Sequence, residues 1–376
     1  AHFFDAVLDL PGEAPKLFAL VREPVGDADY AIGLYASTLV RDGGTLQIGI
    51  GSLSDALCHA LVLRHTRNAD YLSALEALSP GLAASELVRS TGGTEPFKLG
   101  LYGASEMVND GFRRLAEAGV LSRRVLDETA AMARINRGQA TPHDLGRLET
   151  EGRYLDGAFY LGSHALYDWL RGLPPAQARG IGMTRVSHIN ELYGNNEALE
   201  REQRRDARFF NTCMMMTALG AAVSDGLDDG RVVSGVGGQY NFVAMAHALH
   251  DCRSVLMLRS RRDGARSGNV VWNYGHTTIP RHLRDVAIPA DGLAERGRTG
   301  RVDGAAGRGR AQVFTGHHLL APCFAALADH LVRPSVMELF VMNADGSDKR
   351  QITHNGAANF APYFHPDGQR VIWRRF

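Results

Sequence analysis

Glycine-rich loops between an apolar run and an amphipathic segment constrain the fold of this 376-residue chain more than any other feature. The run TLQIGI (45–50) leads into GSL, and SDALCHALVLRH then places apolar residues at helical spacing behind a Ser/Asp cap. RVVSGV (231–236) leads in the same way into GGQYNF and the helical VAMAHALH. Each pattern predicts one βα unit.

Two more segments continue the alternation. RSVLMLRS (253–260) is predicted as the buried strand that follows the second unit, and AFYLGSHALYDWLRGL (158–173) as a third βα unit. Units of this kind favour an α/β fold, a mostly parallel sheet with helices on both faces. Because such sheets bind ligands beyond the carboxyl ends of their strands, both glycine loops fall where a ligand is expected.

Composition excludes several classes of partner. Lys plus Arg and Asp plus Glu number 41 each, which removes the electrostatic case for binding nucleic acid or a membrane surface. No apolar run reaches the roughly 18 residues that a membrane helix needs. We therefore expect small-molecule partners, no nucleic acid and no membrane, and we leave a homo-oligomer open.

The cysteines point to a reducing compartment. Cys58, Cys213, Cys252 and Cys323 lie far apart and lack the CxxC spacing. Their positions signal neither a zinc site nor a disulfide framework. We expect a cytoplasmic protein without a bound metal.

Changes of composition divide the chain into segments. Residues 1–29 are expected to be the end of a missing first half, and residues 30–288 to form the α/β domain. Residues 289–334 are rich in Gly, Arg and Ala and predict a linker with one candidate helix. Residues 335–376 change to a β pattern, in which Asp-Gly pairs mark hairpin turns.

Three motifs resemble a known family. TLQIGIGSLSDAL (45–57), GLYGASEMVNDG (100–111) and VSGVGGQYNFVAMAHAL (233–249) resemble, in that order, the second half of the acetyl-CoA hydrolase / 4-hydroxybutyrate CoA-transferase family. The resemblance implies a CoA-transferase-like α/β domain that exchanges coenzyme A between acyl groups and acids, or hydrolyses the thioester. The expected partners are acyl-CoA and small carboxylic acids, with coenzyme A as a substrate.

The resemblance also implies which residues line the coenzyme A side of the site. These are Gly49, Gly51, Gly235, Gly237, Gly238 and Gln239. Glycines in such loops let backbone N–H groups approach a phosphate or a developing oxyanion without an intervening side chain.

One position departs from the family. The family mechanism, as the resemblance implies it, uses a glutamate nucleophile within a frame that runs here from Asn211 to Gly220, and Met215 occupies that place. A thioether can neither form an acyl anhydride nor accept a proton. With Met214 and Met216 on either side, the cluster is typical of adaptable core packing.

Other residues could supply the missing chemistry. Glu106 lies in a segment that the family also keeps acidic and is the candidate catalytic residue, although helix capping and a surface ion pair are the structural alternative. His276 and His282 could activate a water molecule, but no Ser or Cys nucleophile accompanies them.

These observations predict acyl-CoA binding with CoA transfer or thioester hydrolysis. A catalytically inactive CoA-binding subunit is the alternative, because Met215 replaces the family glutamate. A nicotinamide-dependent dehydrogenase is a second alternative that Ser54, at the third glycine position of GIGSLS, disfavours.

The last segment suggests a different kind of protein. ELFVMNADGSDKRQITHNGAANFAPYFHPDGQRVIW resembles one blade of the Tol-Pal-type β-propeller repeat. One blade cannot bury its own faces, since propellers close by packing typically about four to eight blades. We therefore assign no function to this segment.

Overall fold

The computed structural model describes residues 17–194, 196–261 and 268–289, together with the backbone of strand residues 294–295, 340–341, 350–351, 359–364 and 371–375. The chain divides into two compact units, residues 1–316 and 317–376. Each unit is described by itself. Among the described helices, none has the length and apolar character that crossing a bilayer requires.

The strands of the first unit are β1 (Thr45–Ile48), β2 (Tyr102–Val108), β3 (Leu155–Tyr160), β4 (Ile181–Met183), β5 (Arg208–Thr212), β6 (Met215–Thr217), β7 (Ala222–Val223), β8 (Arg253–Met257), β9 (Val270–Val271), β10 (Val286–Ile288) and β11 (Ala294–Glu295). The main sheet has the spatial order β11-β10-β8-β5-β1-β2-β3-β4, and β7-β6-β9 form a separate sheet. Neighbouring strands of the main sheet are parallel except β10 and β11. The predicted α/β fold with a mostly parallel sheet is confirmed.

The helices are α1 (Asp27–Ser37), α2 (Ser52–Thr66), α3 (Asn68–Leu78), α4 (Glu86–Thr91), α5 (Asp110–Glu117), α6 (Thr129–Asn136), α7 (Pro142–Thr150), α8 (His164–Gly172), α9 (Pro175–Ala178), α10 (Val186–Asn190), α11 (Glu197–Gln203) and α12 (Gln239–Ala248). Side-chain caps begin several of them. The oxygen of Asn109 accepts a hydrogen bond at the start of α5, and that of Ser163 at the start of α8. These caps satisfy backbone N–H groups that have no partner inside the helix.

The order of the strands creates a topological switch point. The chain runs from β1 outwards through β2, β3 and β4, and then returns to the other side of β1 as β5. The register pairs Leu46 of β1 with Gly103 of β2 and with Arg208 of β5. In sheets of this kind a crevice opens at the carboxyl ends of the two strands that flank the switch point.

Apolar side chains on both faces of the sheet pack against helices. Leu46, Ile48 and Phe210 belong to a large buried cluster that also contains residues of α1, α2 and α5. Phe209 points to the opposite face, because side chains alternate along a strand. There it packs with Phe242 of α12, with ring centroids 5.2 Å apart, in a cluster that includes α10.

The prediction of a strand at RVVSGV (231–236) is wrong. This stretch belongs to the loop between β7 and α12, and its pairing is limited to an isolated antiparallel bridge between Gly226 and Val232. Val232 and Val233 are 75% and 52% exposed. Their β-branched side chains favour a strand by propensity. Because both side chains are exposed, they lack the burial that decides strand formation more than propensity does. The strands and helices expected at residues 45–66, 158–173 and 253–257 are present.

The second unit contains antiparallel pairs. β12 (Phe340–Val341) pairs with β13 (Arg350–Gln351), and β14 (Asn359–Phe364) pairs with β15 (Val371–Arg375). The expected turns at Asp345-Gly346 and Asp367-Gly368 lie outside the described residues, as does most of the 289–334 linker. The resemblance to a propeller blade and the segment boundaries at 29, 288 and 334 stay predictions.

A buried carboxylate on α11 makes the stability of the first unit depend on pH. Glu200 is fully buried, with its oxygens 3.3 Å from a guanidinium nitrogen of Arg204 and 3.4 Å from Nδ1 of His188. Burial raises the pKa of the Glu200 carboxyl to about 7, although the charge of Arg204 acts in the opposite direction. The folded state therefore binds the Glu200 proton more tightly than the unfolded state.

We predict that Glu200→Gln changes the pH dependence of thermal unfolding. Because the folded pKa is raised, the contribution of Glu200 is fully present below the ordinary value of 4.5 and is lost as the pH rises through about 7. The melting temperature of the variant minus that of the wild type should become more positive between pH 4.5 and pH 8. Calorimetry across this range measures it, with exposed Glu149→Gln as the control; a difference that does not change with pH would contradict the assignment.

Candidate active site

A cavity of about 270 Å³ lies beyond the carboxyl ends of β1, β2 and β3. We call it the α2 cavity, because the loop Gly49–Gly51 before α2 forms one wall; Asn109 and the start of α5 form another. Nδ2 of Asn109 donates a 2.9 Å hydrogen bond to the carbonyl oxygen of Gly49. The glycine loop predicted from TLQIGIGSL thus borders a space that could hold a small molecule.

The segment 17–26 crosses the open side of the α2 cavity. The N–H of Leu20 donates to the carbonyl oxygen of Gly162 at 3.0 Å, and Arg22 forms a 2.6 Å ion pair with Asp55 of α2. Glu23 lines this cavity and the neighbouring one described next. The segment therefore forms part of the wall.

A second cavity, also of about 270 Å³, lies at the switch point between β1 and β5, and we call it the switch-point cavity. It is lined by Gly51 and by Ser52 at the start of α2, by Thr212 at the end of β5 with the following Cys213 and Met214, and by Arg259 after β8. This is the place where an open α/β sheet is expected to bind its ligand.

An ion pair with the buried Asp29 holds the partly exposed cation of the switch-point cavity. Two nitrogens of Arg259 each donate a 2.7 Å hydrogen bond to Asp29 of α1, and one of them also donates to Oγ of Ser52 at 3.0 Å. Burial by itself raises the pKa of the Asp29 carboxyl, but the hydrogen bonds from Arg259 and Ser52 outweigh it and the net pKa is lowered. The guanidinium is thereby held against the start of α2.

Glu106 lies on β2 against the GGQ loop. A Cβ atom placed on Gly238 would lie 2.3 Å from Oε2 of Glu106 and 2.6 Å from Nδ2 of Asn190. Any side chain at this position would therefore displace the ends of these two side chains. Gly238 is the N-cap of α12, where backbone N–H groups and the helix dipole favour a negative charge. The structure thus brings together Glu106 and Gly238, two residues predicted from separate motifs.

Gln239 connects the GGQ loop to the switch point. Its Nε2 donates a 3.1 Å hydrogen bond to the carbonyl oxygen of Thr212, which lines the switch-point cavity. Gln239 itself is 7% exposed. The buried amide therefore fixes the start of α12 relative to the end of β5.

The other two glycines of this loop lie in open space. Among the described residues, no heavy atom lies within 4 Å of the position that a Cβ would take on Gly235 or Gly237. Gly237 has a φ of +58°, in the region that favours glycine. Gly49 and Gly51 line the α2 cavity, whereas Gly235 and Gly237 line neither that cavity nor the switch-point cavity.

The methionine cluster is divided among three environments. Met215 begins β6, opposite Val223, and is half-buried. Met214 lines the switch-point cavity, whereas Met216 is buried in the core with Val243 and Ile279. Core packing, predicted for all three methionines, therefore describes Met216 and not Met214.

The histidine candidate His276 has a structural partner. Its Nε2 lies 3.0 Å from Oδ1 of Asp225, and the hydroxyl of Thr278 donates to the same oxygen. The hydrogen bonds from Thr278 and His276 lower the pKa of the Asp225 carboxyl. Neither His276 nor Asp225 lines the α2 cavity or the switch-point cavity.

The two cysteines next to the cavities are not activated nucleophiles. Burial raises the pKa of the Cys213 thiol to about 12 and moves that of Cys58 further in the same direction. Both thiols are therefore protonated near neutral pH and lack thiolate reactivity. Within the described ranges, no group of three or more His, Cys, Asp or Glu side chains could hold a metal ion.

Reasoning from the sequence missed Arg259 and Asn190. Arg259 lies near the carboxyl end of the predicted strand RSVLMLRS (253–260), so its place at that edge of the sheet was available as a signal. Asn190 lies at the end of the short helix α10, and the sequence carries no pattern that relates it to Glu106.

Comparisons with known proteins agree with the motifs. Residues 162–301 match the family model described as the acetyl-CoA hydrolase/transferase C-terminal domain. Over 244 residues, 65% of this chain, the sequence is 24% identical to a 4-hydroxybutyrate coenzyme A transferase of Clostridium kluyveri and covers 41% of that protein. The resemblance stated from the sequence is thereby confirmed.

A solved structure shares the fold. The crystal structure of RipA from Yersinia pestis superimposes with a TM-score of 0.50 at 18% identity, over 75% of this chain and 48% of RipA. The chain thus spans less than half the length of both relatives.

We predict that Gly238→Ala destabilises the first unit and Gly235→Ala does not. The new methyl group at residue 238 collides with Glu106 and Asn190, whereas the one at residue 235 meets open space. Because both atoms are the ends of flexible side chains that can shift, the cost should lie near the lower end of the about 1–3 kcal/mol that overpacking causes, while a substitution in open space changes stability by less than about 0.5 kcal/mol. Chemical denaturation measures both free energies of unfolding. Equal stability of the two variants would contradict the close contact between Glu106 and Gly238.

Proposed function

We propose that this chain binds acyl-CoA and catalyses CoA transfer or thioester hydrolysis, with Glu106 as the catalytic carboxylate. The observation that carries the proposal is the position of Glu106 against Gly238, at the N-terminus of α12. A carboxylate beside backbone N–H donors is an arrangement that acyl transfer can use, because the donors stabilise the oxyanion that develops on the carbonyl. The match of residues 162–301 to the acetyl-CoA hydrolase/transferase domain supports the substrate class.

The glycine loops supply the proposed coenzyme A side of the site. Gly49 and Gly51 precede α2, whose N-terminus can attract an anionic group of the coenzyme. Gly235 and Gly237 leave backbone groups open to an approaching ligand, and Gly238 and Gln239 continue this surface to Glu106. Arg259 adds a cation at the switch point that could pair with a phosphate or a carboxylate.

Glu106 has the properties that a general base or nucleophile needs. The residue is half-buried, and no hydrogen bond or ion pair to its side chain occurs in the described part of the chain. Its carboxylate is therefore free to accept a proton or to attack a carbonyl carbon. Met215 can do neither, so Glu106 on β2 would have to supply the carboxylate chemistry that the resemblance implies.

A catalytically inactive CoA-binding subunit is the second candidate. The methionine at position 215 favours it, because the implied nucleophile of the family is absent there. The proposal for the active enzyme also includes small carboxylic acids as acceptors, self-association and a cytoplasmic setting. The widely spaced cysteines fit a reducing compartment.

We predict that Glu106→Gln abolishes thioester cleavage but not binding. CoA release from acetyl-CoA, followed with a thiol-reactive dye with and without added acids, should fall by about 10²- to 10⁴-fold in kcat. The Kd for CoA, measured by calorimetric titration, should change little, since the amide has the same size as the carboxylate. Glu149→Gln, an exposed substitution on α7, is the matched control.

The outcomes separate the candidates. Full activity of Glu106→Gln would contradict the role of Glu106. Binding of CoA by the wild type without any release of thiol would support the inactive subunit. Failure of the wild type to bind CoA would contradict both candidates.

A further inference from the structure

Several buried amide atoms lack a hydrogen-bond partner. In the part of the chain that the structure describes, these are Oε1 of Gln47, Oδ1 of Asn190, Nδ2 of Asn211 and Oε1 of Gln239. Gln47, Asn190 and Gln239 are each less than one tenth exposed. Buried polar atoms are nearly always paired, so a group of unpaired ones requires an explanation, such as bound water.

Two of these residues lie on one face of neighbouring strands. The register of β1 and β5 pairs Gln47 with Phe209. Because side chains alternate, Asn211 shares the face of Phe209, opposite to the face of Ile48 and Phe210. The apolar cluster on the face of Phe209 includes residues of α10 and α12.

The other two residues border the same region from those helices. Asn190 is the last residue of α10, and Gln239 is the first residue of α12. Oε2 of Glu106 and Nδ2 of Asn190 both lie next to Gly238, the residue that precedes Gln239. We call the set of Gln47, Asn190, Asn211 and Gln239 the amide niche.

The chemistry of the amide niche is that of a water site. An amide atom without a partner, buried away from solvent, destabilises the fold. A buried water with two to four polar neighbours removes that cost. The hydrogen bond from Nε2 of Gln239 to the carbonyl of Thr212 fixes which end of its amide is free. Oε1 of Gln239, the residue after Gly238, is therefore the free acceptor.

We propose that the amide niche holds an ordered water that attacks the thioester, so that the site hydrolyses acyl-CoA rather than transferring CoA to an acid. This inference rests on the proposed function and selects one of its two reactions. Gln239 and Glu106 accept the two hydrogens of this water, and Nδ2 of Asn211 donates to its oxygen, which leaves one lone pair free. A second water donates to the side-chain carbonyl oxygens of Gln47 and Asn190 and holds the first in place. Gln47, Asn190, Asn211 and Gln239 are positioning residues.

The step balances with water as the co-reactant. The water oxygen forms a bond to the carbonyl carbon while one water proton moves to Glu106. The tetrahedral intermediate then breaks its C–S bond, and the sulfur leaves with the electron pair and takes the proton from Glu106. The products are the free acid and the thiol of coenzyme A, and the Glu106 carboxylate is regenerated.

Isotope labelling tests the identity of the nucleophile. A single turnover of acetyl-CoA by excess enzyme in H₂¹⁸O should place ¹⁸O in the released acetate and none in the peptide that contains Glu106. Label in that peptide would show a covalent acyl-glutamate and would overturn the inference. Formation of butyryl-CoA from added butyrate, without labelled acetate, would overturn it while leaving the proposed CoA chemistry intact.

Variants of the positioning residues provide the second test. Gln47→Leu and Asn211→Leu should each lower kcat roughly tenfold or more with little change in KM, because the water loses its place and the substrate does not. If the niche were dry, Gln47→Leu would remove an unpaired polar atom, raising the melting temperature and leaving kcat unchanged. That outcome would overturn the inference.

A buried amide elsewhere in the chain is the matched control. Gln203 is 1% exposed, and its Nε2 donates to the carbonyl oxygen of Leu126 at 2.9 Å. Gln203→Met should lower the melting temperature without lowering kcat. A high-resolution crystal structure without water among the amides would contradict the inference whether or not the enzyme turns over. A niche that contains water in an enzyme that binds CoA but releases none would contradict both the inference and the proposed catalysis.

Discussion

The parallel pairing of β1 with β2 on one side and β5 on the other is the constraint on which the first unit depends. It sets the carboxyl ends of all three strands at one edge of the sheet. The chain forms β5 only after β2, β3 and β4. As a result, helix α2 packs on one face of the sheet against Phe210, and helix α12 packs on the other face against Phe209. The glycine loop, Glu106 and the unpaired amides all take their positions from this pairing.

The contact between Glu106 and Gly238 places a carboxylate beside the loop that the resemblance implies as part of the coenzyme A site. The resemblance implies a glutamate at the position of Met215, which begins a strand of the small separate sheet. Glu106 reaches the GGQ loop from β2 instead, through the space that the absent side chain of Gly238 leaves. In this account the catalytic group has moved from the small separate sheet to β2 of the main sheet, while the loop has been retained.

Much of the fold could be predicted from the sequence, because its signals are local. The strand at Thr45–Ile48, the helix at Ser52–Thr66 and the buried strand at Arg253–Met257 follow from apolar runs bounded by glycine or polar residues. Valines in RVVSGV carried the same local signal and were misleading, since strand formation requires a partner and a covering layer.

The candidate site was predictable only in its separate parts. The motifs identified Glu106 and the glycines, but the approach of Asn190 to Gly238 and the ion pair of Arg259 with Asp29 join residues far apart in the chain. Such contacts depend on strand order and register, which no local pattern specifies. The unpaired amides are defined by missing partners and become visible only in the packed structure.

A crystal structure of the chain with bound coenzyme A tests the central claim most directly. The account predicts that the sulfur lies beside Glu106 and Gly238, with the rest of the coenzyme following the glycine loops at the carboxyl edge of the sheet. Coenzyme A bound elsewhere on the chain, with its thiol remote from Glu106, would contradict the account.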